Sequence, residues 1–322
     1  MDFSLDNLAS LFDEQLSSWE QAGDNYAALA NVKVRSVDVG GFPFKIQFNP
    51  ARIVSSAAKV DTKSIQERRC FLCADNRPAA QKGLNYSYKG EEYEVLINPF
   101  PIFPKHLTIP VVKHTDQLIS GRFGAMLDLA ERLTGYTLFY NGPKCGASAP
   151  DHFHFQAGNR GFMPIEERFC GLGKRLVFKS DDIALYAANS FYNGMVAMVS
   201  SSAMQAESLF EKIYNSLPVH DGEREPMMNI LCWFEKGEWI TVIFAREKHR
   251  PACYFSEGED NILLSPASVD LGGVLITPLE KDFEKIGERE IACIMGEISV
   301  SEEEISRIEG RIAKQTNWYN LN

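Results

Sequence analysis

The chain has 322 residues, enough for one large domain or two medium ones with a sizeable core, and its 45% apolar and 24% charged residues exclude disorder as a whole-chain description. Its 33 Lys and Arg against 43 Asp and Glu give a net charge of −10, which argues against a general nucleic-acid or anionic-membrane binder but leaves room for a small anionic ligand held by a local basic cluster. No run approaches the roughly 18 apolar residues of a membrane span, and the opening MDFSLDNL has no basic n-region or apolar core of a secretory signal, so a cytoplasmic location is expected.

Residues 3–20 read as an amphipathic helix, with Leu5, Leu8, Phe12, Leu16 and Trp19 at three- and four-residue steps. Short strands are expected at 31–38 and 43–48 around Gly40-Gly41, and residues 49–92 read as polar and irregular. Strands at 93–98 and 107–112 flank a proline-rich turn. A helix over 122–134 carries Phe123, Met126, Leu127, Ala130 and Leu133 on one face, and a strand follows at 136–141. The loop GPKCGASAPD leads into a strand at His152–Gln156. Further strands are expected at 175–179, 195–200, 228–235 and 239–245, the last two joined by the hairpin signal Lys236-Gly237. A helix over 203–217, strands at 262–264 and 274–277, and a closing helix over 302–316 complete the pass. Strands and helices come in clusters, which favours an α+β fold with antiparallel sheet. Residues 265–282 echo 98–114 in the order proline, turn, strand, proline, and hint at two related halves with a boundary near 160–185.

His152-Phe-His154-Phe-Gln156 is the most informative stretch. In a strand, alternate side chains face opposite sides, so His152, His154 and Gln156 would share one face and Phe153 and Phe155 would pack into the core. Two imidazoles and an amide on one face suit chemistry on a phosphate: an imidazole can attack phosphorus, and an amide can donate to a phosphoryl oxygen as charge develops. The Gly146-Ala147-Ser148 loop offers backbone N–H groups and a hydroxyl as a phosphate cradle. The competing reading is a solvent-facing strand with two incidental histidines. Cys70 and Cys73 have metal-ligand spacing, with a redox pair or two free thiols as alternatives, and no thioredoxin-like βαβ pattern surrounds them. Of the seven cysteines, the other five (Cys145, Cys170, Cys232, Cys253 and Cys293) are scattered singly and are expected to serve packing alone.

His-x-His-x-Gln after a Gly-Ala-Ser loop resembles the transferase branch of the histidine triad (HIT-like) superfamily, which includes galactose-1-phosphate uridylyltransferase, the GDP-sugar phosphorylases and diadenosine tetraphosphate phosphorylase. The segment PKHLTIPVVKH (104–114) is similar to the superfamily's strand of the form GH-apolar-apolar-apolar-P-x-x-H, with Lys105 where glycine is usual. The resemblance covers residues 45–160 well and 225–285 more loosely. It implies two HIT-like halves, each an antiparallel sheet with packed helices: a catalytic half over 1–165 and a degenerate half over 166–322 that lacks the motif. It implies that His154 is the nucleophile that becomes nucleotidylated, that Gln156 donates to the phosphoryl group, and that Asn141, eleven residues before His152, binds substrate. The loop departs from the pattern by one extra residue between its glycine and the first His, which bears on the role given to Ser148. CFLCADNR resembles the CxxC segment of the uridylyltransferases, and the resemblance implies a structural zinc on Cys70, Cys73, His114 and His152.

A nucleotide substrate brings several negative charges, which local Arg and Lys must offset. Arg52 in QFNPAR is the first choice, followed by Arg77, Lys144, Arg246, Lys248 and Arg250, each of which could instead be a solvated surface charge; His106 and His249 are weaker candidates, and His220 reads as surface. Gly146, Ala147 and Ser148 would hold phosphoryl oxygens. The expected activity is transfer of a nucleoside monophosphate from an NDP-hexose, through nucleotidyl-His154, to phosphate or a hexose 1-phosphate. The alternatives are phosphorolysis of a dinucleoside polyphosphate and a silent nucleotide-sugar binding protein. The partners are then a small-molecule nucleotide sugar and phosphate or a sugar phosphate, with no nucleic acid or membrane, and the chain would act as a monomer or homodimer.

Overall fold

The computed structural model describes residues 1–53, 62–188 and 194–316. Helix α1 (Leu5–Ser18) starts where the Ser4 hydroxyl accepts from the Asn7 N–H, a side-chain cap on a donor the helix leaves unpaired. The helix expected over 3–20 is α1, which ends where Trp19 is extended, and a second helix that was not expected, α2 (Glu20–Ala28), follows it. Strands β1 (Lys33–Val39) and β2 (Phe42–Phe48) form a hairpin whose Gly40 and Gly41 both have positive φ, as its two-residue turn requires. There follow α3 (Thr62–Glu67), β3 (Gly83–Tyr88), β4 (Glu91–Ile97), β5 (His106–Pro110), α4 (Phe123–Arg132), β6 (Tyr136–Asn141), β7 (His154–Asn159) and α5 (Pro164–Arg168). The second half supplies β8 (Lys174–Lys179), β9 (Ile183–Ala188), β10 (Met195–Ser200), α6 (Ala203–Ser216), β11 (Met228–Glu235) and β12 (Glu238–Ala245). The chain ends with α7 (Ser268–Leu271), β13 (Val274–Thr277), α8 (Glu280–Lys285), α9 (Glu288–Ile298) and α10 (Glu302–Thr316).

Ten strands form one antiparallel sheet in the order β3-β4-β5-β7-β6-β11-β12-β10-β9-β8. From the central β6–β11 pair outward, the two sides have the same order. Each also places a helix, α4 or α6, between its third and fourth strands in the chain. This internal repeat is the α+β architecture of two HIT-like halves. The sequence echo does not mark its equivalent strands. β5 lies inside the large sheet, whereas β13 runs parallel to β2 in a separate sheet, β1-β2-β13; by position the counterpart of β5 is β10. The echo reflects shared proline-turn chemistry, not shared topology.

Other differences have local causes. Residues 262–264 form no strand: Leu263 N–H donates to Asp282 Oδ2 at 2.8 Å and Leu264 N–H to the Ile262 carbonyl at 2.9 Å, so no ladder is available to them. The supposedly irregular stretch 49–92 contains β3, whose inward Leu84 and Tyr86 alternate with polar Asn85 and Ser87. Cys170 and Cys293 are exposed, so packing accounts for Cys145 and Cys232 but not for those two.

Each face of the sheet has its own core. α1, α4, α6 and α10 cover one face, where Phe153 and Phe155 lie with Tyr93 and Tyr140. The small sheet and α5, α7, α8 and α9 cover the other, where Phe139 and Trp233 lie. Because β7 alternates and Phe155 points to the α1/α4 face, His154 and Gln156 point to the opposite one. There the large sheet, the 142–148 loop and the chain around α7 enclose a cavity.

Candidate active site

The cavity has a volume of about 550 Å³ and is lined by His154, Gln156, Asn141, Gly146, Ala147 and Ser148 from the first half and His249, Arg250, Ser265 and Asp270 from the second. His154 is buried, and burial pushes its imidazole down to about 4, so the ring is neutral at pH 7. Its Nδ1 lies 2.9 Å from the His152 carbonyl. A carbonyl can only accept, so Nδ1 carries the proton and Nε2 keeps its lone pair on the cavity side.

The amide of Gln156 is oriented by a similar chain. Ile102 N–H donates to His106 Nδ1 at 3.3 Å, so the proton of His106 sits on Nε2, which donates to Gln156 Oε1 at 3.0 Å. The amide nitrogen of Gln156 is then the end left for a ligand. His106 is fully buried, and burial, with the Arg52 charge nearby, pushes it down to about 3, which keeps this donor arrangement at any ordinary pH. Asn141 is held likewise. Its Oδ1 accepts from Asn229 Nδ2 (2.8 Å), Ser268 N (2.9 Å) and Ser268 Oγ (2.7 Å), which leaves its amide nitrogen for the cavity. Gly146 has φ +91°, and a Cβ there would come within 2.5 Å of the Ala267 Cβ, so only glycine lets the loop pass this close to the second half.

Three arginines reach the cavity: Arg52, Arg68 and Arg250. Arg52 donates from Nη1 to the Phe100 carbonyl at 2.6 Å, and Arg68 pairs with Asp151. Arg52 Nε and Arg68 Nη1 are buried without a partner among the described residues, donors in keeping with an anionic ligand. Arg250 lies 4.1 Å over the Tyr254 ring, and its Nε donates to Ser265 Oγ at 3.0 Å. His249 is pushed down to about 4 by burial and by the surrounding cations Arg250, Arg246 and Lys144.

A second cluster stands beside the strand that carries His154. Ligand atoms of Cys70, Cys73, His114 and His152 all lie within 4.8 Å of one another. His152 Nδ1 is 3.2 Å from Cys70 Sγ and 3.6 Å from Cys73 Sγ, and His114 Nδ1 is 3.2 Å from Cys73 Sγ. Zinc bonds of about 2.3 Å to sulfur and about 2.0 Å to nitrogen put tetrahedral S···N edges at about 3.5 Å, so the cluster fits that ion. His152 Nε2 donates to the Val111 carbonyl at 2.7 Å, which leaves the Nδ1 lone pair facing the thiols, the tautomer a metal requires. Burial and the neighbouring Cys70 push the Cys73 thiol up to about 11.

The structure therefore brings together His154, Gln156, Ser148, Arg52, Asn141, Gly146 and Ala147 at the cavity, and the four expected metal ligands at the cluster. It does not bring four of the expected substrate ligands there. Arg77 pairs with Glu94, and its charge bears on His152 instead. Lys144 pairs with Glu223, and Lys248 with Glu297 at 2.9 Å. Arg246 is buried and spends its guanidinium on Asn229 and on the carbonyls of Pro266, Lys248, His249 and Ile298, where it ties the second half together. His152 does not share the cavity face either: β7 begins at His154, so the alternation does not extend back to it. Sequence reasoning passed over Arg68, although it lies two residues before Cys70. It also passed over Gln117 and Asp270, which carry no motif.

Residues 11–159 match a protein family described as a domain of unknown function, DUF4922. A search of curated proteins finds no match to the sequence. Among solved structures the chain is similar to yeast Ap4A phosphorylase Apa2 in complex with AMP, at 17% identity and a TM-score of 0.55, over 89% of this chain and 97% of that one. It is also similar to a DUF4931 family protein from Bacillus cereus, at 14% identity and a TM-score of 0.39, over 58% of this chain and 95% of that one. The likeness to the yeast protein extends through both halves, so this chain shares its fold of two HIT-like halves. No helix among the described residues is long and apolar enough to cross a membrane.

Proposed function

We propose that the chain is a nucleotidyltransferase that works through a covalent nucleotidyl-His154, and that it phosphorolyses a dinucleoside polyphosphate. The observation that carries the reading is the fixed tautomer of His154, whose Nε2 lone pair faces a cavity shared with the Gln156 amide and the 146–148 loop. Nε2 attacks the α-phosphorus; the N–P bond forms, the P–O bond to the leaving nucleotide breaks, and that nucleotide departs with the electron pair. The imidazole gains positive charge, and its Nδ1–H bond to the His152 carbonyl strengthens in response. Gln156, the loop N–H groups and Ser148 donate to the phosphoryl oxygens as charge develops. A phosphate oxygen then attacks the same phosphorus, the N–P bond breaks, and neutral His154 and a nucleoside diphosphate result. Arg52, Arg68 and Arg250 offset the polyphosphate charge.

Residues 1–165 would form the catalytic half, and 166–322 a half that lends His249, Arg250 and Asp270 to the wall. Zinc on Cys70, Cys73, His114 and His152 would be structural: four protein ligands leave no open position for water, and the ion pins the backbone whose carbonyl holds His154. The dinucleoside polyphosphate reading is favoured by the fold shared with the yeast phosphorylase. A second reading, transfer from an NDP-hexose to phosphate or a hexose 1-phosphate, is favoured by the resemblance of the Cys/His set to that of the uridylyltransferases. Incubation with diadenosine tetraphosphate, GDP-hexoses and UDP-hexoses, each with phosphate and with hexose 1-phosphate, separates them by chromatography of the products. ADP from diadenosine tetraphosphate and phosphate is expected. Turnover confined to NDP-hexoses selects the second reading, and no turnover of any substrate in the panel, with nucleotide still bound, leaves a binding protein.

A further inference from the structure

The ladder between β6 and β7 stops just short of the site. It pairs Tyr136 with Asn159 and ends at Phe139 with Gln156; continued in that register, Asn141 would face His154. The side chain of Gln117, fully buried, takes that place. Its Oε1 accepts from the His154 N–H at 2.7 Å, and its Nε2 donates to the carbonyls of His154 and Asn141, each at 3.0 Å. The main chain of Gln117 is itself anchored: its N–H donates to the Pro150 carbonyl at 3.1 Å, and its carbonyl accepts from Tyr140 Oη at 3.0 Å.

We propose that Gln117 is a positioning residue that holds the nucleophile His154 and the substrate-side Asn141 at a set separation, by replacing a direct ladder with an interposed amide. The proposal rests on the nucleotidyl-transfer reading. A direct antiparallel pair would bring the two Cα atoms to about 4.5–5.5 Å and close the sheet at this point. With an amide between them the strands part, and the opening is where both side chains meet the cavity. Only a carboxamide satisfies all three backbone groups, because the position needs an acceptor and two donors. A carboxylate would set oxygen against two carbonyls, and an apolar chain would leave three buried backbone groups unpaired. Gln117 touches no reacting atom. Its effect is on where Nε2 stands, and a misplacement of about 1 Å can cost on the order of 100-fold in rate.

The test is the single-turnover rate of His154 labelling by α-labelled diadenosine tetraphosphate in wild type, Gln117→Met and Gln117→Glu, with AMP affinity measured alongside. Gln117→Met is expected to label on the order of 100-fold more slowly, while its AMP affinity changes by less than about tenfold. Should Gln117→Met fail to fold, Gln117→Glu decides. Protonated, a Glu side chain offers a carbonyl and one O–H donor, so labelling by this variant should slow as pH rises through the ionisation of that carboxyl, at a pH where wild type does not slow. Both folded variants labelling within about threefold of wild type at every pH would overturn the proposal. If wild type takes no label, the transfer reading fails on its own, and nitrogen NMR of the His154 ring judges Gln117 separately. Loss of the single Nδ1–H tautomer in Gln117→Glu supports the positioning role, and ring shifts identical to wild type refute it.

Discussion

Gly146→Ala tests the closeness of the two halves at the site. At φ +91° an alanine carries a left-handed backbone penalty of about 1–2 kcal/mol. Its Cβ would stand 2.5 Å from the Ala267 Cβ, 3.1 Å from the Ala267 Cα and 3.4 Å from the Pro266 carbonyl. Ordinary carbon contacts are about 3.5–4.0 Å, so the overlap must be relieved at about 1–3 kcal/mol by moving the loop or the chain before α7. The two effects together give a loss of about 2–5 kcal/mol, read as a lower urea midpoint at unchanged slope. Ala267→Gly removes the nearest atom but not the backbone penalty. The double variant should therefore recover about 1–3 kcal/mol of the loss and keep the remainder, a coupling that a double-mutant cycle measures. Movement of the loop also carries Ser148 away from His154, so labelling should slow in Gly146→Ala more than in the double variant. An unchanged midpoint, or strictly additive single effects, would refute the claim that this contact constrains the loop.

Three further expectations follow from the same structure. Purified protein should carry about one equivalent of zinc and lose it in Cys73→Ala, with a lower melting temperature; equal, near-zero metal in both removes the ion from the account. Glu225 is buried between Tyr140 and the Ile119 N–H, and burial pushes its carboxyl up to about 7 from 4.5. The folded state thus binds a proton that the unfolded state has released between pH 4.5 and 7. Stability should fall across that window, by about 3 kcal/mol once both states are deprotonated. Glu225→Gln should flatten the fall, so that its melting temperature exceeds wild type at pH 8 and not at pH 4; parallel profiles would contradict this. His106→Leu removes the donor that orients Gln156 and should lower kcat by about tenfold or more with a smaller change in KM, and an unchanged kcat would show that the amide orients itself.

Much of the site was legible because its chemistry is local in the chain. The alternation of Phe153 and Phe155 with His154 and Gln156 places the cavity face from four consecutive residues, and Cys70 and Cys73 lie in one turn. His114 and His152 could be joined to them only through a family resemblance, since nothing in their spacing brings four dispersed residues to one point. The arginines were read poorly for a physical reason. Arg52 and Arg246 look alike in sequence, but Arg246 meets a ring of carbonyls supplied by residues 248, 249, 266 and 298. Gln117 had no signature at all, because its role depends on a register that ends at Phe139 and Gln156. Helices α8 and α9 were passed over, although α9 buries Ile291, Ile294, Met295 and Ile298 at helical spacing. The symmetry of the sheet, likewise, appears only once strand order is known.

The central claim is that His154 forms a bond to phosphorus. Wild type and His154→Ala, mixed with diadenosine tetraphosphate in the absence of phosphate, quenched at alkaline pH and digested, can be compared by mass spectrometry of the peptide that contains residue 154. The account predicts an added adenylyl group on that peptide in wild type, at the histidine, discharged by acid or by addition of phosphate before the quench, and absent from His154→Ala. Turnover of the nucleotide with no adduct at this histidine, or undiminished turnover by His154→Ala, would contradict it.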